Sequence, residues 1–359
     1  MKQDLLDIYS DYLIAQSQRA TATGLSILLD GAISHDKITR FLNENEFSSK
    51  ELWHYVRPKI REQEQEKGGV LIIDDAIEEK PYTDENLIVN WHFSHAKGRC
   101  VKGINLLSCL ARYGDLALPI GFEIVHKDLY FCDLKTKKEV RRASITKNEY
   151  FRQLTRQAQR NEVKFDYILA DNWFGAKENM EFIHYELTKM FIFGLKANRL
   201  VALSEEERKK GQYHSLSTLQ LKDGEVRKAW LKNLSIPVSL IKKVFKNEDG
   251  STGTLYLVTN DLDSNADRIY EIYQKRWRIE EYHKSIKQNS SLEKSPTRAL
   301  RSQKNHLFAS IIGYCKLEFL KMKTCLNHFA LKYKLVIKAN QMAYIELRKL
   351  RESTGLCVR

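Results

Sequence analysis

The sequence predicts an α/β protein in which apolar strands that end in acidic residues are combined with helices. Two segments, VLIIDDA at 70–76 and FDYILAD at 165–171, have the length and composition of buried strands, and both carry Asp at the end. Segment 273–287 lacks Pro and Gly and is rich in Glu, Lys, Arg and Ile, which predicts a helix. Residues 199–262 have β-type composition. We therefore predict an α/β core with a β-rich block between its second acidic strand and this helix, flanked by helical N- and C-terminal regions.

The charge of the chain favours a polyanionic partner. Its 359 residues leave room for two or three domains, and 59 Lys and Arg against 46 Asp and Glu give a formal net charge of +13. Basic side chains that neutralise phosphates release counterions, so this excess suits nucleic acid. Attraction to a membrane surface would explain the charge equally well, but no apolar run approaches the ~20 residues of a spanning helix. The opening MKQDLLDIYSDY lacks the apolar core of a signal peptide.

Cysteine and histidine spacing predicts no zinc site. His92 and His95 have a spacing that suits two ligands, but no further Cys or His cluster accompanies them, so we interpret them as structural or close to substrate. The cysteines contain no C-x2-C pair, which predicts reduced cytosolic thiols without a disulfide framework. They are Cys100, Cys109, Cys132, Cys315, Cys325 and Cys357.

The N-terminal 65 residues are predicted to be helical. Residues 21–30 form a helix that ends at Gly31, and Ser34 is the expected N-cap of a short helix over 34–42. A further helix over 49–66 and an apolar-faced helix at the start complete the region. Gly68 and Gly69 mark the expected domain boundary.

Two basic residues of the short helix are candidate DNA contacts. A helix, a glycine turn and a short helix that bears Lys37 and Arg40 are compatible with a helix-turn-helix reader. A small helical bundle without a contact role is the alternative.

The central region is predicted to supply most of the core. The expected strands lie at 87–93, 101–113, 116–125 and 190–196, with a hairpin around Gly114, and the expected helix at 147–162. The β-rich block adds strands at 226–231, 238–245 and 255–259, with Asp249 and Gly250 in a hairpin turn. Residues 300–359 are predicted to be helical and basic, with one apolar stripe from Leu307 to Phe319.

Acidic residues at the two predicted strand ends are candidate site residues, because sheet enzymes place their chemistry there. The first strand offers Asp74 or Asp75, and the second offers Asp171. The alternatives are that the first pair begins a turn and that Asp171 caps a helix.

The helix predicted over 264–289, with Ser264 as N-cap, carries a chemically mixed face. At about 100° per residue, the side chains of Tyr273, Arg276, Glu280 and Lys287 fall within an arc of roughly 60° on one helix face. An ordinary solvated face with ion pairs is the alternative.

The pattern Y-x2-R-x3-E-x6-K on this helix, within YQKRWRIEEYHKSIK, resembles the signature of DDE transposases of the insertion-sequence-four family. The resemblance covers roughly residues 70–320. It implies that Glu280 is the third metal-binding carboxylate, with Asp74 and Asp171 as the first two. Ala76 stands where the family pattern D-x-T has Thr, and Asp75 is the fallback for the first acid. Tyr273, Arg276 and Lys287 would contact DNA phosphates.

The same resemblance implies an RNase H-like catalytic core that uses Mg2+, with Mn2+ as a substitute and two ions in the site. The implied activity is cleavage at transposon ends and joining to target DNA, with a DNA hairpin as one route. Partners would be the terminal inverted repeats, target DNA and a second copy of the chain, without a membrane, in the cytoplasm at the nucleoid. An RNase H-like nuclease without strand transfer and a catalytically idle end-binding regulator are the alternatives.

The predicted domains follow from these assignments. They are a helical DNA-binding domain at 1–67, a core in two parts at 68–198 and 263–300, the β-rich insertion at 199–262, and a helical C-terminal region at 301–359.

Overall fold

A computed structural model describes residues 2–64, 68–94, 97–134, 136–137, 139–246 and 249–354, with the backbone alone at residues 2 and 3. His95 and Cys357 lie outside these residues. The chain divides into two compact units: residues 49–281 form the sheet unit, and residues 1–48 with 282–359 form the helical unit. The domain boundaries predicted from sequence stay a prediction. Within the described ranges, no helix is long and apolar enough to span a membrane.

The sheet unit is built on one mixed sheet with eleven strands among the described residues. The strands of this sheet are β1 (Val70–Glu79), β2 (Val89–Ser94), β3 (Arg99–Tyr113), β4 (Leu116–Ile124), β7 (Tyr167–Ala170), β8 (Met190–Leu195), β9 (Leu200–Ala202), β10 (His214–Ser215), β11 (Val226–Leu231), β12 (Val238–Lys246) and β13 (Thr252–Thr259). A separate hairpin has β5 (Leu129–Cys132) and β6 (Glu139–Arg142). The order of strands in the large sheet is β10-β9-β11-β12-β13-β8-β7-β1-β3-β2, and β4 pairs with β3. This mixed α/β architecture is the fold class that the sequence predicts.

Three neighbouring strands position the acidic residues. Strand β7 pairs in parallel with both β1 and β8, so the three strands begin at one edge of the sheet and run towards the other. The prediction that β1 ends near Ala76 was wrong, since the strand continues to Glu79. Residues 74–79 stay in the sheet because each faces a residue of antiparallel β3, such as Ser108 opposite Asp74.

The β-rich block continues the same sheet. Strands β11, β12 and β13 occupy the predicted segments, and β13 pairs with β8. Gly250 has φ +81°, which suits the predicted turn, while Asn247 and Glu248 lie outside the described residues. Helices of the sheet unit are α4 (Ser49–Gln63), α5 (Lys147–Arg160), α6 (Lys177–Glu181), α7 (Glu205–Lys209) and α8 (Ala266–Gln274). Helix α6 runs on into a short π-helix, Phe182–Glu186.

The helix expected as one piece over 264–289 is interrupted. Helix α8 ends at Gln274, and a second helix, α9 (Trp277–Gln288), begins after Lys275 and Arg276. Around the break the N–H groups bond to carbonyls three residues earlier, and the Lys275 carbonyl also accepts from Arg112 Nη1 at 3.2 Å. The predicted N-cap was wrong as well: Asn265 accepts from the Arg268 N–H.

The helical unit contains α1 (Lys2–Ala15), α2 (Ala22–Leu28), α3 (His35–Glu44), α10 (Leu300–Thr324) and α11 (His328–Ser353). Ser34 caps α3 as predicted by accepting from the Lys37 N–H. The predicted apolar stripe of α10 is buried from Leu307 to Cys315, whereas Phe319 at its end is half-buried. The hydroxyl of Tyr9 in α1 shares a hydrogen bond of 2.9 Å with His306 Nδ1 in α10. The side chains of Lys37 and Arg40 are exposed on α3.

Candidate active site

Asp74 and Glu280 come together although they lie 206 positions apart in the chain. Asp74 lies in β1, and Glu280 lies in the first turn of α9. Ligand oxygens of the two carboxylates are within 4.8 Å of each other. Carboxylate oxygens at this separation can share one hard cation, and oxygen ligands are those that Mg2+ prefers.

The guanidinium of Arg276 lies between these two carboxylates. Its Nη1 is 3.4 Å from Asp74 Oδ2 and 3.3 Å from Glu280 Oε1. The Arg276 side chain is only 16% exposed. Burial opposes its charge, but Tyr273 and the surrounding carboxylates raise the pKa of Arg276 above its usual value. Both contacts are long for charged hydrogen bonds, so the guanidinium balances the charge without fixing either carboxylate tightly.

Asp171 belongs to the same electrostatic group. It follows the last residue of β7, and its Oδ1 accepts from the Trp173 N–H at 2.9 Å. The pKa of Asp74 is raised to about 8, mainly by burial and then by the charges of Asp171 and Asp75. Burial also raises the pKa of Asp171, while the Trp173 N–H and Arg276 lower it. Buried carboxyl groups that lie close together are hard to ionise, and a bound divalent cation would stabilise their charged forms.

Asp75 has different partners from Asp74. Its Oδ2 accepts from Asn105 Nδ2 at 2.6 Å and from Lys147 Nζ at 2.8 Å. The neighbouring His92 is buried, and burial followed by the charges of Lys127 and Lys147 lowers the pKa of its ring to about 4. His92 is therefore a neutral side chain next to Asp75. His95, the other half of the predicted pair, lies outside the described residues.

Tyr273 and Lys287, two further residues that were predicted to contact DNA, lie in different surroundings. Tyr273 is 8% exposed, and Arg276 lies over its ring at 5.8 Å from the centroid. Lys287, in the helical unit, forms an ion pair with Glu293 at 3.0 Å. The prediction that Tyr273, Arg276, Glu280 and Lys287 share one continuous helical face was wrong, because the break after α8 separates the first from the last two.

Sequence reasoning missed several neighbours of the acids. Lys147 reaches Asp75 from the start of α5, and Trp173, 45% exposed, has Lys147 and Lys196 nitrogens 5.1 and 5.8 Å from its ring centroid. Asn105 stands in an otherwise apolar strand run, INLLSCLA. A polar residue at such a position is a signal that could have indicated a buried partner.

Comparisons with known proteins agree with this geometry. The sequence model of a family described as "DDE superfamily endonuclease" matches residues 1–220, and that of "Transposase DDE domain" matches residues 132–316. No significant match was found among curated proteins.

Among solved structures, a similar one is titled "Drosophila P element transposase strand transfer complex". It has a TM-score of 0.25 and 9% identity over 48% of this chain, which spans about a third (33%) of that chain. That likeness is too distant to add to the assignment. Because each family model covers more than half of the sequence, the chain belongs to the DDE superfamily of endonucleases and contains a transposase DDE domain.

Proposed function

We propose that the protein is a DNA transposase of the insertion-sequence-four type, with Asp74, Asp171 and Glu280 as its catalytic acids. One observation carries the proposal: Arg276 contacts both Asp74 and Glu280, so the arginine and the glutamate of the Y-x2-R-x3-E pattern meet a strand Asp. Asp171 supports it, because its charge adds to the burial that raises the pKa of Asp74. Asp74 is preferred to Asp75 because the Asp75 carboxylate is held by Asn105 and Lys147.

The three acids would hold Mg2+, with Mn2+ as a substitute and two ions in the complete site. An all-carboxylate donor set fits these hard cations. When bound, such ions supply Lewis-acid stabilisation of a phosphoryl oxygen and make a water or a DNA 3′-hydroxyl a better nucleophile. Arg276 would then be released from the acids to contact a phosphate beside the cut, where its fork of N–H donors suits two phosphate oxygens.

The remaining residues of the signature would position DNA. Tyr273 packs against Arg276 and orients the guanidinium, and Lys287 contacts a phosphate further along the end. Cleavage would be followed by attack of the freed 3′-hydroxyl on target DNA, and a DNA hairpin is the proposed route to the double-strand cut.

Recognition of the transposon ends is assigned to the N-terminal helices. Lys37 and Arg40 are exposed on α3, the second helix of the predicted helix-turn-helix. We propose that residues 1–67 read the terminal inverted repeats, that 199–262 form the β-rich insertion of the 68–300 core, and that a homodimer assembles on DNA. The working place would be the nucleoid in the cytoplasm.

The test is cleavage of DNA that carries the element's own terminal repeats. The protein should nick this DNA at the repeat in Mg2+ or Mn2+ and not in EDTA, and should join the 3′ ends to a supercoiled target plasmid. Nicking without joining would favour the second candidate, a DDE nuclease without strand transfer. Binding of the repeats with no nicking in either metal would favour the idle regulator and contradict the proposal.

A further inference from the structure

A cavity lies at the edge of the sheet where β1, β7 and β8 begin. Its volume is about 590 Å³, within the range of small-molecule pockets. Val70 and Tyr167 lie at this edge, whereas Asp74 and Asp171 each follow four residues later along the same chain segments. Four strand residues span roughly 13 Å, so the cavity is separate from the candidate active site.

The lining of this cavity is basic. Lys189, Arg268 and Lys275 line it together with a single carboxylate, Asp166, whose Oδ2 already accepts from the Gly68 N–H at 2.6 Å. We call these four residues and the cavity they line the basic pocket. With three cations and one carboxylate, its lining carries an excess of two positive charges.

The positive charges are poorly compensated. Among the described residues, no carboxylate oxygen lies within ion-pair distance of Lys189 or Lys275, although Lys189 lies over the Phe165 ring at 5.2 Å from the centroid. Arg268 pairs with Glu271 at 3.1 Å, but both side chains are more than half exposed, so the pair is weak. Burial, followed by the charges of Arg112 and Arg268, lowers the pKa of Lys275. A bound anion would relieve this repulsion.

We propose that the basic pocket binds a phosphate group. Converging Lys and Arg side chains match phosphate oxygens, and the exposed Thr188 hydroxyl at the rim can donate a further hydrogen bond. The volume admits a phosphate with its attached group rather than a bare ion. The phosphate comes either from the DNA backbone outside the cut or from a free phosphate compound.

The geometry links this pocket to the acids through one helix. Ile272 and Lys275 of the α8 end line the basic pocket, while the alternating Tyr273 and Arg276 lie with the acids. A phosphate held in the pocket therefore contacts the segment that positions Arg276. The DNA source of this phosphate rests on the proposed function, whereas the free source does not.

Pyrophosphate binding, measured by isothermal titration calorimetry without metal ions, tests the site directly. The double variant Lys189→Gln with Arg268→Gln and the single variant Met190→Glu should each weaken binding at least tenfold. Met190 lines the pocket and is 38% exposed, so a carboxylate there opposes an anion without disturbing the core. Met190→Gln, which matches Glu in shape, and Lys209→Gln on the exposed face of α7 should retain affinity within twofold.

A random-sequence 20-base-pair duplex, followed by fluorescence anisotropy across a salt series, separates the two sources. If the phosphate is a DNA phosphate, the double variant should reduce the slope of log affinity against log salt by about one to two. If the phosphate belongs to a free compound, the wild type and the double variant should have the same slope, while the double variant should still bind pyrophosphate more weakly. Equal pyrophosphate affinity and equal slopes for wild type and both pocket variants, all with parental melting temperatures, would overturn the proposal. Wild-type protein that binds no duplex at all would instead count against the proposed function.

Discussion

The two ends of strands β1, β7 and β8 carry opposite charges. At the end where the strands begin, Lys189, Arg268 and Lys275 surround a cavity with one carboxylate. Towards the other end, Asp74 and Asp171 approach Arg276, a single guanidinium that Asp74 and Glu280 share. At the first end positive charges outnumber the carboxylates, and at the other end carboxylates outnumber the positive charges. The acidic end therefore suits a cation and the basic end an anion.

The interruption between α8 and α9 contains one residue of the basic end and one residue of the acidic end. Lys275 lines the basic pocket and Arg276 contacts the acids, although the two residues are adjacent in sequence. In a continuous helix the two side chains would lie about 100° apart around the axis. Here both residues lie in the break, after Gln274 and before Trp277. Local irregularity in this chain thus coincides with the segment that touches both charged sites.

Removing one carboxylate from the acidic end should have the largest effect. Asp74→Asn and Asp171→Asn should each lower the cleavage rate by about a thousandfold or more, because each variant would lose one of the proposed metal ligands. Binding to transposon ends, measured by electrophoretic mobility shift, should stay within about threefold.

Asp75→Asn is the matched control for Asp74→Asn. It removes the ion pair with Lys147, so we expect a melting temperature lower by a few degrees and a cleavage rate within about tenfold of the parent. The reverse outcome, with Asp75→Asn inactive and Asp74→Asn active, would move the first acid by one residue.

Arg276→Ala should have the next largest effect. We expect cleavage to fall by about a hundredfold, and the free energy of unfolding without metal to fall by about 1–3 kcal/mol, because Asp74 and Glu280 lose their shared donor. Mg2+ should restore most of the lost stability in a thermal melt but not the lost rate.

Arg227→Ala provides the comparison for Arg276→Ala. Arg227 also pairs with a carboxylate, Glu225, but is 42% exposed, so stability should change by less than about 1 kcal/mol and cleavage should not change. A parental cleavage rate in Arg276→Ala would show that the guanidinium only balances the acids.

The stability of the metal-free protein should depend on Asp74 protonation. Its pKa is raised to about 8, above the ordinary value of 3.8, so the folded state binds the proton more tightly than the unfolded state. The resulting stability is complete below about pH 4 and is lost as pH rises through about 8. Urea unfolding in EDTA between pH 5 and 8 should show the free energy of unfolding falling as pH rises. The slope of this fall should correspond to about one more bound proton in the folded parent than in folded Asp74→Asn.

Mg2+ titrations at pH 7 should release up to one proton, read by calorimetry in two buffers of different ionisation enthalpy. Identical pH profiles for the parent and Asp74→Asn, together with no proton release, would show that Asp74 is ionised in the metal-free protein.

Local sequence patterns predicted most of the elements but not where they continue or break. Strands β11 and β12 and helix α3 lie where apolar periodicity and the Ser34 cap put them. The continuation of β1 through Glu79 depends on β3, whose backbone supplies partners that acidic residues alone would not suggest. The end of α8 is set beside Arg112, 163 positions away, and no local pattern encodes that contact.

The site shows the same limit. The sequence singled out Asp74, Asp171 and Glu280 because the two acidic strands and the helix pattern are local features that resemble the family signature. It preferred Asp74 with Asp75 as the fallback, and the different surroundings of the two depend on where Lys147 of α5 and Asn105 of β3 come to lie. No sequence pattern indicated the basic pocket, because its cations come from two distant segments without a common motif: Lys189 precedes β8, and Arg268 and Lys275 belong to α8 and its C-terminal cap.

The smallest effect should come from the Tyr273 hydroxyl. Tyr273→Phe keeps the buried ring under Arg276 and removes only the hydroxyl, which lies near Gly194 and interacts electrostatically with the Arg276 side chain. We expect cleavage to fall by about two- to tenfold, because the guanidinium keeps its contacts with Asp74 and Glu280 and loses only the contribution of the hydroxyl to its orientation. The melting temperature should change by less than about 3 °C.

Tyr270→Phe, on the same helix, separates this effect from a general loss of α8 packing. The Tyr270 ring packs against Phe245 and Lys243, which belong to β12 rather than to the acidic end. It should therefore leave the cleavage rate unchanged. If both variants slow cleavage equally, the hydroxyls matter only through the stability of α8. If Tyr273→Phe alone slows cleavage a thousandfold or more, the hydroxyl does more than orient Arg276, because even a hydrogen bond to a charged group contributes only about 1.5–3 kcal/mol. The acidic end would then include a phenol that contacts the reacting phosphate itself.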